Sequence, residues 1–150
     1  MKKYTILTIL IVILLSVAFC VYTREKKIEV PNIPQPSLTY KNTTKEKIIV
    51  DTPYPDAVVG KEFSVIGQAA GWYFEGVFPI DVLDKDGKVL WQGPAIATKD
   101  WMTSELVTFK ADVRLPQDYT GPATLILRKD NPSGDPQYDA SASMPINIEY

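Results

Sequence analysis

Histidine is absent from this 150-residue chain, and cysteine occurs once, as Cys20. The first absence removes the side chain most used for acid–base chemistry near neutral pH, and with it the commonest metal ligand. The second excludes an intrachain disulfide, so a folded domain here must rest on its core and its hydrogen bonds. Together they rule out zinc sites built from cysteine and histidine. No residue pattern asks for a cofactor. Basic residues are also scarce beyond the first third of the chain. Residues 47–150 hold 9 Lys/Arg against 15 Asp/Glu. That balance repels phosphate backbones and anionic headgroups at long range, which argues against a nucleic-acid partner.

One long apolar run is present. Residues Tyr4 to Tyr22 give 19 consecutive uncharged positions. As a helix they would span roughly 28 Å, close to the hydrocarbon thickness of a bilayer. Lys2 and Lys3 precede the run, and Arg24, Lys26 and Lys27 follow it, so charge alone gives little orientation. The very short N-terminal tail places the folded part on the far side. The run reads as an uncleaved signal anchor over residues 1–22, with no evident A-x-A cleavage site. A lipoprotein signal is the second reading, disfavoured by bulky Phe19 before Cys20, and a cleaved secretory peptide is the third. All three export residues 23–150 and place them outside the cytoplasm, at the cell surface or in the periplasm.

Residues 23–46 mix Pro31, Pro34 and Pro36 with polar residues and carry no sustained period, as expected of a spacer. From Lys47 the pattern changes to short β-rich runs divided by turn residues: Lys47–Asp51, Glu62–Ala69, Phe78–Leu83, Val89–Gln92, Val107–Val113, Ala123–Arg128 and Met144–Glu149. Phe63 and Val65, and again Ile80 and Val82, alternate with polar neighbours. Asp84-Lys85-Asp86-Gly87 reads as a tight hairpin with Gly87 at positive φ. Seven short strands in about a hundred residues predict an all-β domain, an immunoglobulin-like β-sandwich over residues 47–150 with a partly open barrel as the alternative, preceded by a single N-terminal transmembrane helix.

Three clusters stand out. In Gly71-Trp72-Tyr73-Phe74-Glu75-Gly76, successive side chains on an extended chain alternate, so three adjacent aromatics cannot all face inward. At least one ring is expected in the core and at least one at a rim, where it could anchor a protein or stack on a sugar. Asp100-Trp101-Met102-Thr103 reads as a turn capped by its aspartate, with a Trp–Met contact patch as the functional alternative. The third cluster runs from Arg128-Lys129-Asp130-Asn131-Pro132-Ser133-Gly134 to Asp135, Tyr138 and Asp139. Its oxygens invite calcium, but their spacing matches no calcium loop, and an ordered turn is preferred. Glu75 and Asp100 could form a glycosidase-like carboxylate pair, but nothing in their spacing requires it. No catalytic residue and no metal ligand is assigned, and the chain is expected to bind rather than catalyse. The candidate binding residues are Trp72, Glu75, Asp100, Trp101, Met102, Asp130, Asn131 and Asp135.

The order of Gly71-Trp72-Tyr73-Phe74-Glu75-Gly76, Phe78-Pro79, Asp100-Trp101-Met102-Thr103 and Lys129-Asp130-Asn131-Pro132-Ser133-Gly134 resembles the immunoglobulin-like domain of bacterial spore germination proteins. The resemblance covers roughly residues 48–150. It implies a bacterial, extracytoplasmic sandwich and supplies neither catalytic residues nor a ligand. A germination role is not carried over, because the chain shows only an anchor and a spacer beside the domain. The expected partners are the membrane, through the N-terminal helix, and an envelope protein, with peptidoglycan or another wall polymer as the alternative.

Overall fold

Along Val107–Arg114, Val107, Phe109, Ala111 and Val113 are buried, while Lys110, Asp112 and Arg114 are exposed. That period of two is what one buried sheet face demands. The computed structural model describes residues 37–150. In chain order the strands are β1 (Thr39–Lys41), β2 (Ile48–Thr52), β3 (Ala57–Val59), β4 (Glu62–Ala69), β5 (Val77–Asp84), β6 (Val89–Ala97), β7 (Val107–Arg114), β8 (Gly121–Arg128) and β9 (Ser141–Ile148). A short 3-10 helix, Pro136–Tyr138, precedes β9.

Hydrogen bonding runs β1-β9-β8-β5-β6-β7-β4-β2, with β3 pairing β9 in parallel and every other pair antiparallel. The result is one curled, immunoglobulin-like sheet. β2, β4 and β7 form one layer, and β5, β8 and β9 form the other. β6 joins them by pairing β5 along its length and β7 at Ile96 and Ala97. Between the layers Phe78 is the hub, 4.9 Å from Phe109 and 5.5 Å from Trp72, both edge-on. Gly67 is required here: a Cβ would lie 2.1 Å from the Ile49 carbonyl oxygen and 2.7 Å from Phe109 Cζ.

Each of the seven expected runs corresponds to a strand, and Glu62–Ala69 matches β4 residue for residue. The hairpin closes as expected: Asp84 Oδ1 accepts from the Asp86 and Lys88 amides, and Gly87 sits at φ 82. Three features differ. β6 does not stop at Gln92 but runs through Pro94 to Ala97. Pro94 faces Pro79 on β5, whose pairing with β8 begins only at Ile80, while β6 meets β7 only at Ile96. Neither missing N–H interrupts a ladder there. β3 is too short to read from pattern. β1 lies within the segment expected to be spacer, where it covers the β9 edge at Ser141–Ser143.

The expected anchor helix falls outside the described residues. Among the described residues, no helix is long and apolar enough to cross a membrane.

Candidate functional site

Strand register gathers the three sequence clusters at one pole. β4 ends at Ala69 opposite Val107, where β7 begins, and β8 ends at Arg128 opposite Ser141, where β9 begins. The loops 70–76, 98–106 and 129–140 therefore emerge together. Backbone bonds fix them to one another and to the sheet: Asp130 N donates to Trp72 O at 3.0 Å, and Ala97 N donates to Gly76 O at 2.8 Å.

The aromatic triplet alternates as an extended chain must. Trp72 is 2% exposed and packs on Phe78. This corrects its expected role as a contact residue, because an indole sealed in the core offers no face to a macromolecule. Tyr73 is half-buried, and its hydroxyl donates to Val107 O at 2.6 Å. Burial pushes its pKa up from 10.0 to about 12, partly offset by backbone hydrogen bonding at Ala69. Phe74, 45% exposed, is the ring that reaches the surface.

Glu75 and Gly76 then turn the chain with φ of 51 and 79, closed by paired bonds between Phe74 and Val77 at 3.0 and 3.1 Å. Two successive positive φ values make a type I′ turn, and Glu75 serves as an exposed turn residue. Gly76 leaves the room that Trp101 fills: a Cβ there would meet Trp101 Cδ1 at 3.2 Å. Trp101 is half-buried as a result, and Met102 beside it is 76% exposed. Asp100 holds this loop by accepting from the Met102 amide at 3.0 Å. Thr103 Oγ1 accepts from Glu105 N at 3.2 Å.

The third cluster closes on itself. Asn131 Nδ2 donates to Asp135 O and to Asp139 Oδ1, both at 2.8 Å, and its Oδ1 accepts from Ser133 Oγ at 2.6 Å. Asp135 caps the 3-10 helix, accepting from Gln137 N at 3.1 Å. Asn131 and Asp135 thus spend their polar atoms on the loop. Asp130 is fixed through its amide, and its half-buried side chain lines a depression with Arg128 and Lys129. Among the described residues, no group of three His, Cys, Asp or Glu is placed to hold a metal ion.

Two features escaped sequence reading. Phe74 lay within a noted cluster, but its outward parity was not fixed by sequence. On the outer face, Asp81 is 4% exposed and accepts from Arg128 Nε at 2.6 Å and Gln92 Nε2 at 2.8 Å. A lone acid between Ile80 and Val82 was the only signal.

Among solved structures, the crystal structure of CopC from Methylosinus trichosporium OB3b is similar at 15% identity, covering 69% of this chain and 92% of that one with a TM-score of 0.44. No curated protein matches the chain. The immunoglobulin-like domain of bacterial spore germination matches over residues 47–135. That match takes in β2 to β8 and the aromatic and Trp–Met clusters of the loop pole, and the chain belongs to that family.

Proposed function

We propose that the domain is a non-enzymatic binding module of the bacterial cell envelope, exported and tethered by its N-terminal segment, that docks a protein partner through the loop pole. The observation that carries this reading is the apolar tip. Phe74 and Met102, 45% and 76% exposed, stand on the two loops that the half-buried Trp101 joins at Gly76, and the backbones of these loops are already fixed. Large apolar side chains left in water on ordered loops cost little further entropy when a partner covers them. An aromatic anchor in a seat, bordered by flexible methionine, is the composition of an interface centre. The same inventory supports binding rather than catalysis. The chain has no histidine, and on the Trp101 loop the Asp100 and Thr103 oxygens accept from backbone amides.

The test is photocrosslinking in intact cells from a photoreactive residue at position 102, with one at position 86, in the exposed β5–β6 hairpin at the opposite pole, as control. A discrete protein adduct from position 102 alone, lost in a Trp101→Ala background, is expected. No adduct, or the same adduct from both positions, refutes the reading.

A further inference from the structure

Beside the apolar tip, the β1–β2 and β8–β9 loops face each other. Asn42, at φ 53, donates from Nδ2 to Asp139 O at 2.9 Å and ties the two loops together. On one side of this bond lies a depression of about 540 Å³, rimmed by Lys47, Gln137 and Tyr138 and floored by Ala70 and Trp72. On the other lies one of about 220 Å³ between Lys41, Arg128 and Asp130. Lys129, Asp139 and Ala140 line both, so the two depressions adjoin and make a groove in two parts.

Its chemistry runs against that of the rest of the domain. The described residues carry 11 Lys/Arg and 16 Asp/Glu. Their ion pairs are Lys85–Asp86, Lys110–Asp112 and Arg128–Asp81. Lys41, Lys47 and Lys129 stand outside these pairs, as do Lys45, Lys61, Lys88, Lys99 and Arg114 elsewhere, so the groove differs from the rest in its excess of cations, with Arg128 added, over its carboxylates. The groove's own carboxylates are Asp130 and Asp139, and Asp139 Oδ1 already accepts from Asn131. Tyr138 stands 55% exposed on the rim.

We infer that this groove is a second binding site, distinct from the apolar tip, for an acidic glycan: a sugar chain bearing carboxylate or phosphate groups. Each part of the lining meets a part of that ligand. The three lysines face its acid groups, Asp139 and Gln137 supply acceptors for its hydroxyls, and the Tyr138 ring takes the apolar face of a sugar. The larger depression falls within the range of about 300–1,000 Å³ usual for small-ligand sites. The floor is rigid, because Trp72 belongs to the core.

Calorimetric titration of the full chain tests this with three probes: a short oligogalacturonate, a glycerol-phosphate oligomer and a neutral cello-oligosaccharide. At least one acidic probe should bind about tenfold more tightly than the neutral one, and more weakly as salt rises. Which acidic probe binds distinguishes carboxylate from phosphate recognition. The Lys41→Ala/Lys129→Ala variant should lose about tenfold in affinity at an unchanged unfolding midpoint. Tyr138→Ala should weaken binding of the acidic probe further, whereas Phe74→Asp, which disables the tip, should leave it intact. Acidic probes that bind no better than the neutral one, or binding indifferent to the lysine substitutions, overturn the inference.

Discussion

The Trp101 indole rests on Gly76, with a Cβ on that glycine falling 3.2 Å from Cδ1 and 3.3 Å from Nε1. The two residues come from different loops, so this contact sets the position of Met102 relative to Phe74. Gly76 also sits at φ 79. Gly76→Ala is therefore strained twice, by the left-handed backbone at about 1–2 kcal/mol and by the displaced indole. The expected outcome is a modest fall in the urea midpoint together with greater quenching of tryptophan fluorescence by acrylamide. Unchanged quenching would show that Trp101 does not depend on that seat.

The two tryptophans of the loop pole should separate stability from recognition. Trp72→Ala empties the aromatic cluster around Phe78 and should cost about 3–5 kcal/mol. Trp101→Ala should cost less than about 1.5 kcal/mol, since its ring is only partly covered, yet should abolish the position-102 crosslink. Chemical denaturation of both variants checks the contrast, and equal losses would contradict it.

Period-two patterning made the sandwich legible where strands are long. Glu62–Ala69 and Val107–Arg114 each show it over eight residues, and Asp84 to Gly87 declares its own hairpin. β1 and β3 hold three residues apiece, and both exist because the β9 edge is there to pair with. That information lies a hundred residues away. The clusters at the pole stood out by composition, but the parity of Trp72 against Phe74 depends on where β4 ends and the type I′ turn begins. Asp81 fits the polar face by alternation, while its burial comes from Arg128, 47 residues on.

Tyr73 offers a titration test. Burial raises its pKa from 10.0 to about 12, so the folded state holds the phenolic proton more tightly than the unfolded chain. The contribution of this proton to stability is complete below pH 10.0 and is lost progressively as pH climbs toward about 12. In Tyr73→Phe, stability should fall less over that window than in the parent. Denaturation midpoints at stepped alkaline pH read the difference, and parallel curves would remove Tyr73 as its source.

Asp81 and Arg128 form an asymmetric pair, one side chain 5% exposed and the other 48%. Removing the guanidinium leaves the carboxylate with Gln92 alone in a site largely closed to water. Arg128→Ala should cost about 1–3 kcal/mol, and Asp81→Ala in addition should cost little more. A double-mutant cycle measures the coupling, and additive losses would mean that the pair contributes nothing beyond its two side chains.

β9 has β8 on one side, while its other side is covered in two pieces: β1 antiparallel at Ser141–Ser143 and β3 parallel at Ile146–Ile148. Neither piece is long, yet together they leave little of that edge unpaired. Uncovered strand edges template association, because their free N–H and C=O groups pair with any extended chain. A chain beginning at Asn42 lacks β1 and the Thr39, Tyr40 and Lys41 pairings, while the β3 half stays covered. It should lose about 1–2 kcal/mol of stability and begin to associate with rising concentration, as its exposed half-edge meets that of another copy. Light scattering against concentration, beside urea unfolding, measures both. A truncated chain that stays monomeric at the parent's stability would make β1 an incidental pairing rather than the closure of the sheet.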